Sequence, residues 1–314
     1  MMRFLLFITL ILAGCQNERP APIQENTLPD IPYVTILGIG QDGGKPQAGS
    51  HSDPAWKDPS LRRLAVSLGL VEPSSDKRWM FEATPDFRQQ LYDLDQLAGP
   101  RKTTVPDGIF LTHGHIGHYT GLMFLGNESI GAQDVKVYAM PKMRDYLSTS
   151  GPWSQLVDYE NILLEPLSHL EPVVLTDQVT VTPFLVPHRQ EYTEVVGYII
   201  EGPTRRIGFI PDIDAWELWD TGLKAFLADV DVALVDGSFF ADGELPGRDM
   251  SKIPHPWTTH TMNLLADADA ETRAKVMFIH FNHTNPVLLE DSPETAQVLA
   301  AGFNIARRGD ILEL

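Results

Sequence analysis

Cysteine is almost missing from this chain: 314 residues contain one, Cys15. No internal disulfide can form downstream of it, and any metal site there must use nitrogen and oxygen ligands. Basic residues are scarce as well. Against 42 Asp and Glu stand 24 Lys and Arg, a formal charge of −18, and no basic cluster is longer than a pair such as Arg62-Arg63, Arg205-Arg206 or Arg307-Arg308. Binding a nucleic-acid backbone needs a clustered basic surface, so nucleic acid is not an expected partner. Low-complexity segments and repeats are also lacking after Pro32. With 43% hydrophobic and 21% charged residues, the composition is that of a packed protein. About 290 residues beyond the N-terminal segment suit one large domain or two small ones.

The N-terminus carries the single long apolar run, Phe4 to Leu12, preceded by Arg3 and followed by Ala13-Gly14-Cys15. Such a run is too short to span about 30 Å of hydrocarbon as a helix. A positive start, a short apolar stretch and small residues before a cleavage point are expected of a secretory signal. Leu12-Ala13-Gly14-Cys15 resembles the bacterial lipobox, which implies that residues 1–15 are a lipoprotein signal and that Cys15 is lipidated. Gln16 resembles the pattern sorted to the periplasmic side of the outer membrane in Gram-negative bacteria. Residues 16–31 hold Pro20, Pro22 and Pro29 among polar residues and read as a tether, leaving 32–314 as the folded part. Sixteen flexible residues span roughly 20–25 Å, more where prolines extend them.

Histidine is the informative residue. Of ten, His113, His115 and His118 fall together, as do His255 and His260, and His280 and His283, with His188 between. Apolar runs place strands at Tyr33–Gly40, Arg78–Ala83, Asp107–Thr112, Val135–Ala139, Val179–Val186, Val195–Ile200, Arg206–Ile210, Val230–Val235, Lys275–Ile279 and near Asp310–Leu314. Helical spacing covers Asp86–Leu97, Pro141–Leu147, Thr258–Ala266 and Ser292–Ala301. His113, His188, Asp212, Asp236 and His280 each follow the end of an apolar strand, where side chains of α/β folds converge on ligands. In Thr112-His113-Gly114-His115-Ile116-Gly117-His118, imidazoles at i and i+2 can face one cation, and the one at i+5 a neighbouring cation. That set suits Zn²⁺, Fe²⁺ or Mn²⁺.

These residues resemble the metallo-β-lactamase-fold superfamily, whose His-x-His-x-Asp-His motif matches at His113, His115 and His118. Gly40-Gln41-Asp42-Gly43-Gly44-Lys45-Pro46-Gln47, Asp236-Gly237-Ser238 and Asn282-His283-Thr284-Asn285-Pro286 are similar to the branch of coenzyme PQQ synthesis protein B. The resemblance implies a four-layer αββα sandwich, α/β in class, with two face-to-face sheets and the site at one edge. It also implies one or two divalent ions, Zn²⁺ first, with His113, His115 and His188 at one, and His118 and His283 (in preference to His280) at the other. Asp212 would lie between them and handle the proton of a metal-activated water. The departure is Gly117, where hydrolytic members carry the Asp ligand; Asp214, Asp236 or Glu191 could replace it, or the site could hold one ion.

The expected function is metal-dependent hydrolysis of an ester, lactone, amide or phosphodiester bond in a small molecule. Two alternatives stand beside it: an Fe(II)/O₂-dependent oxidoreductase related to the PQQ branch, and a non-catalytic metal-bearing lipoprotein that binds a ligand. His255 and His260 flank Pro256-Trp257 in an expected lid segment, where substrate contact and plain surface are both open. Asp42-Gly43-Gly44 reads as a tight turn, since it lacks the helix start and Lys-Ser/Thr of a phosphate loop.

Overall fold

The computed structural model of the chain describes residues 28–99, 101 and 103–314. The expected signal segment with Cys15, and the expected tether up to residue 27, lie outside the described residues. Among those described, no helix is long and apolar enough to cross a membrane.

Two seven-stranded sheets form the centre. The first holds β1 (Tyr33–Gly38), β2 (Ser67–Glu72), β3 (Lys77–Phe81), β4 (Gly108–Phe110), β5 (Val135–Ala139) and β6 (Ile162–Pro166) in sequence order. The second holds β7 (Val173–Val174), β8 (Thr180–Leu185), β9 (Val196–Glu201), β10 (Arg206–Ile210), β11 (Val232–Asp236), β12 (Val276–Ile279) and β13 (Asn304–Ile305). The last strand, β14 (Ile311–Glu313), returns to the first sheet and pairs antiparallel with β1. Each sheet is mixed: β1 to β3 run antiparallel and β3 to β6 parallel, while β7 to β10 run antiparallel and β10 to β13 parallel.

The sheets meet through aromatic side chains. Phe81 of β3 stacks on Phe110 of β4 at 5.0 Å between ring centroids, and both meet the Tyr198 ring of β9 edge-on at 5.3 and 5.6 Å. Helices cover the outer faces. The helix Phe87–Ala98 buries Phe87 and Leu94 in a cluster with Tyr33 and Leu37 of β1, and Leu223–Asp229 packs Phe226 onto the second sheet. Coverage on both faces explains why all six residues of β1 are buried and no polar alternation marks it. The helix Pro293–Ala300 starts where Ser292 accepts a hydrogen bond from the Thr295 N–H and Pro293 takes the first turn. This α/β sandwich is the fold expected from the resemblance.

Sequence periodicity misses β2. Gly69 sits in its middle because a Cβ there would come within 2.7 Å of Leu94 Cδ1, so close helix packing removes the side chain that would have marked the strand.

Candidate metal centre

Strand ends build the site. His113 and His115 lie beyond β4, His188 beyond β8, Asp212 beyond β10, Asp236 ends β11, and His280 follows β12 directly. His118 sits on the one-turn helix Ile116–Tyr119 that opens after the first two histidines. All but His115 of these are buried. His113, His115 and His188 offer donor atoms within 4.8 Å of one another, and so do His113, His118 and Asp212. The structure thus brings His113, His115, His118, His188 and Asp212 together.

The Asp212 carboxylate is central. Its Oδ2 lies 3.1 Å from His118 Nε2 and 3.4 Å from His280 Nε2, and its Oδ1 lies 3.7 Å from His188 Nε2. Among the described residues, His118 Nε2, His188 Nε2, His280 Nε2 and Asp212 Oδ2 are all buried without a hydrogen-bond partner. Buried polar atoms are normally satisfied, and four orphans facing one another form a nitrogen and oxygen donor set that fits divalent ions. Three histidines of the cluster are held through their other ring nitrogen. His188 Nδ1 meets Asp214 Oδ1 at 2.8 Å, His280 Nδ1 meets Ser238 Oγ at 2.9 Å, and His115 Nε2 meets Glu191 Oε2 at 3.0 Å. Such outer partners fix the ring orientation of a ligating histidine.

Two expectations need correction. His283 does not join the donors: its side chain is near Lys45 and Asp53, and its carbonyl accepts from Lys45 Nζ at 2.9 Å. The histidine in the cluster is His280, which holds a positive φ of 66° at the end of β12. Neither Asp214 nor Glu191 supplies the carboxylate missing at 117, because each holds a histidine from outside. Asp236 accepts from the Ser238 N–H at 2.9 Å and the Ile213 N–H at 3.2 Å and pairs with His255 Nδ1 at 2.7 Å, and it also offers an oxygen within 4.8 Å of donors on Asp212, His255 and His280. His255 is buried and faces the cleft, while His260 is exposed and paired with Glu217.

Burial and neighbouring charge set the electrostatics. Burial drives His188 down to about 2, assisted by the positive field of His255. Burial raises Asp212 to about 7 against the opposing pull of His118 and His255. For His255, burial is outweighed by the Asp236 carboxylate, and the ring is raised to about 9. His118 is likewise raised, since Asp212 and Glu82 overcome its burial.

Sequence reading missed Asp42 and Glu82. Asp42 stands in the loop after β1, with Oδ1 3.5 Å from His118 Nε2. Glu82 follows β3 at a φ of 74°, fully buried, with neither carboxylate oxygen hydrogen-bonded and Oε2 3.6 Å from His118 Nδ1. Its signal was a carboxylate closing the apolar run Trp79-Met80-Phe81. Glu82 is the buried carboxylate that faces the far nitrogen of the His118 ring, so Glu82→Gln is expected to weaken metal binding about 10–100-fold. Metal titration followed by calorimetry checks this; unchanged affinity rejects the positioning role.

The comparisons agree with this fold. Residues 77–281 match the family described as Beta-lactamase superfamily domain. The chain belongs to that superfamily. It is 30% identical to coenzyme PQQ synthesis protein B of Methylorubrum extorquens, over 90% of this chain and 100% of that protein. The same protein of Xanthomonas campestris pv. campestris is 29% identical over 88% of this chain and 98% of its own length. Among solved structures, Zn²⁺-bound PqqB from Methylobacterium extorquens superposes with a TM-score of 0.74 at 27% identity, covering 90% of this chain and 100% of that one. A diphosphatase of the PhnP family shares the fold at a TM-score of 0.63 and 23% identity, covering 90% and 97%.

Proposed function

We propose that this protein is a metal-dependent hydrolase of a small molecule carrying an ester, lactone, amide or phosphodiester bond. The observation that carries the reading is the set of four orphaned, buried donors on Asp212, His118, His188 and His280, of which Asp212 and His188 line a cleft. His113, His115 and His188 would hold one ion, and His118 and His280 a second, with Asp212 between the two sets. Zn²⁺ is the first choice, supported by the zinc named for the PqqB neighbour. Bound there, a divalent ion supplies a lowered pKa to water and polarises an acyl or phosphoryl oxygen.

The chain's own groups do the rest. The cleft measures about 510 Å³, the size of a small-molecule site. Ile116 and Tyr192, both exposed on its rim, offer apolar contact, and Arg189 offers a cation. Asp212, lying between the two sets of histidines, would orient the attacking water. His255 is bound to Asp236 through Nδ1 and lies with Nε2 3.5 Å from Gln41 Nε2 in the cleft, placed to give a proton to the leaving atom. Cys15 in its lipobox supports anchoring by lipid alone, with the domain held at the periplasmic side of the outer membrane.

The test is metal content by elemental mass spectrometry on untagged protein, followed by ester, lactone, amide and phosphodiester substrates. Hydrolysis that chelation abolishes and the added ion restores is the expected result. Oxygen uptake with substrate, or no turnover of any class by metal-loaded protein, overturns it.

A further inference from the structure

The loop after β1 is fastened to the segment that follows His280. The Phe281 N–H donates to the Ile39 carbonyl and the Gln41 N–H to the Phe281 carbonyl, both at 2.8 Å, while Asn282 Nδ2 donates to Gln41 Oε1 at 2.6 Å. Asp42 comes next and holds a φ of 42°, a conformation that Asp and Asn tolerate better than most residues. Its carboxylate, half exposed to the cleft, offers an oxygen within 4.8 Å of donor nitrogens on both His118 and His280. Those two nitrogens are among the buried orphans.

Position 117 explains why the carboxylate arrives from this loop. A Cβ built on Gly117 would lie 2.4 Å from Asp42 Oδ1 and 2.5 Å from Asp42 Cα. No side chain can occupy 117 while Asp42 stands where it does. The two positions exclude each other, and only one of them bears a carboxylate. We propose that Asp42 supplies the carboxylate of a second divalent-ion site with His118 and His280, in place of a side chain at position 117. Together with Asp212 this gives the second ion as many protein donors as the first set, His113, His115 and His188 with Asp212, gives to its own. The proposal rests on the reading of the cluster as a metal centre, and the turn Asp42-Gly43-Gly44 thereby becomes part of the site.

The experiment is titration of metal-free full-length protein with Co²⁺, followed by absorbance, together with zinc content by elemental mass spectrometry. Wild type is expected to take two ions per chain. Asp42→Asn, which keeps the backbone conformation and the side-chain size, is expected to retain one ion and lose affinity for the other by at least about tenfold. Asp42→Glu restores part of that loss. Gly117→Ala keeps every donor but crowds Asp42, so it too should weaken the second ion and leave the first. His188→Ala reports on the first set and should spare the second. Two ions bound by Asp42→Asn with wild-type affinity overturn the proposal and leave the hydrolase reading intact. A wild type that takes one ion, insensitive to Asp42→Asn, does the same. A wild type that takes none overturns both.

Discussion

Asp212→Asn is expected to lower turnover and metal affinity together, each by more than about 10²-fold. The scale follows from position. Loss of an outer partner of a ligating group costs 10–100-fold in affinity or activity, and Asp212 is itself the group between the two sets. Its Oδ2 faces His118 and His280 and its Oδ1 faces His188, so no other carboxylate can stand in for both oxygens. Asparagine keeps the shape and one oxygen but lacks the charge. Thermal stability gives a readout independent of activity. At an ion concentration of about 1,000 times Kd, binding adds about 4 kcal/mol to the folded state, and a 100-fold weaker site adds about 1.4 kcal/mol. For a domain of this size, at roughly 2 °C per kcal/mol, the rise in Tm on metal addition shrinks from about 8 °C to about 3 °C. Equal metal-induced shifts in the two proteins would reject a ligating role for Asp212.

Most of the donor set was legible because one rule produced it: an apolar run long enough for a strand, then a His or Asp. The runs before His113, His188 and Asp212 obey it, and so does Val276–Ile279 before His280. Placing the last ligand at His283 followed motif likeness instead and erred by one turn of loop; strand-end logic applied evenly picks His280. Asp42 could not be read the same way. Its relevance depends on a contact with residue 117, 75 positions on, and a local pattern of Asp-Gly-Gly says only that the chain turns. Glu82 lay in plain sight at the end of an apolar strand, where a carboxylate without function would carry a desolvation penalty. The fold was legible at the level of strands that are apolar throughout. It was not legible where close packing demands glycine, as at Gly69, or where strands are as short as β7 and β13.

The largest loss of stability away from the metal is expected at Phe110. The ring is fully buried, stacked 4.3 Å from Tyr138 and 5.0 Å from Phe81, with Tyr198 of the opposite sheet edge-on at 5.6 Å. Phe110→Ala removes the side chain from the centre of the inter-sheet layer, and such truncations cost about 3–5 kcal/mol because rigid neighbours cannot close the cavity. The corresponding fall in Tm is about 6–10 °C. Phe110→Leu refills part of the volume and should recover at least half of it. The effect should also reach the site. Leu111, the next residue, accepts a hydrogen bond from the Tyr198 hydroxyl at 2.5 Å, and His113 follows two residues later. Truncation therefore loosens the strand end from which the histidine loop departs, and metal affinity should fall with stability in Phe110→Ala but hold in Phe110→Leu. Denaturant unfolding of the metal-free proteins measures the first effect, and metal titration the second. A cost below about 1 kcal/mol for the alanine variant would mean that the two sheets do not depend on this aromatic stack.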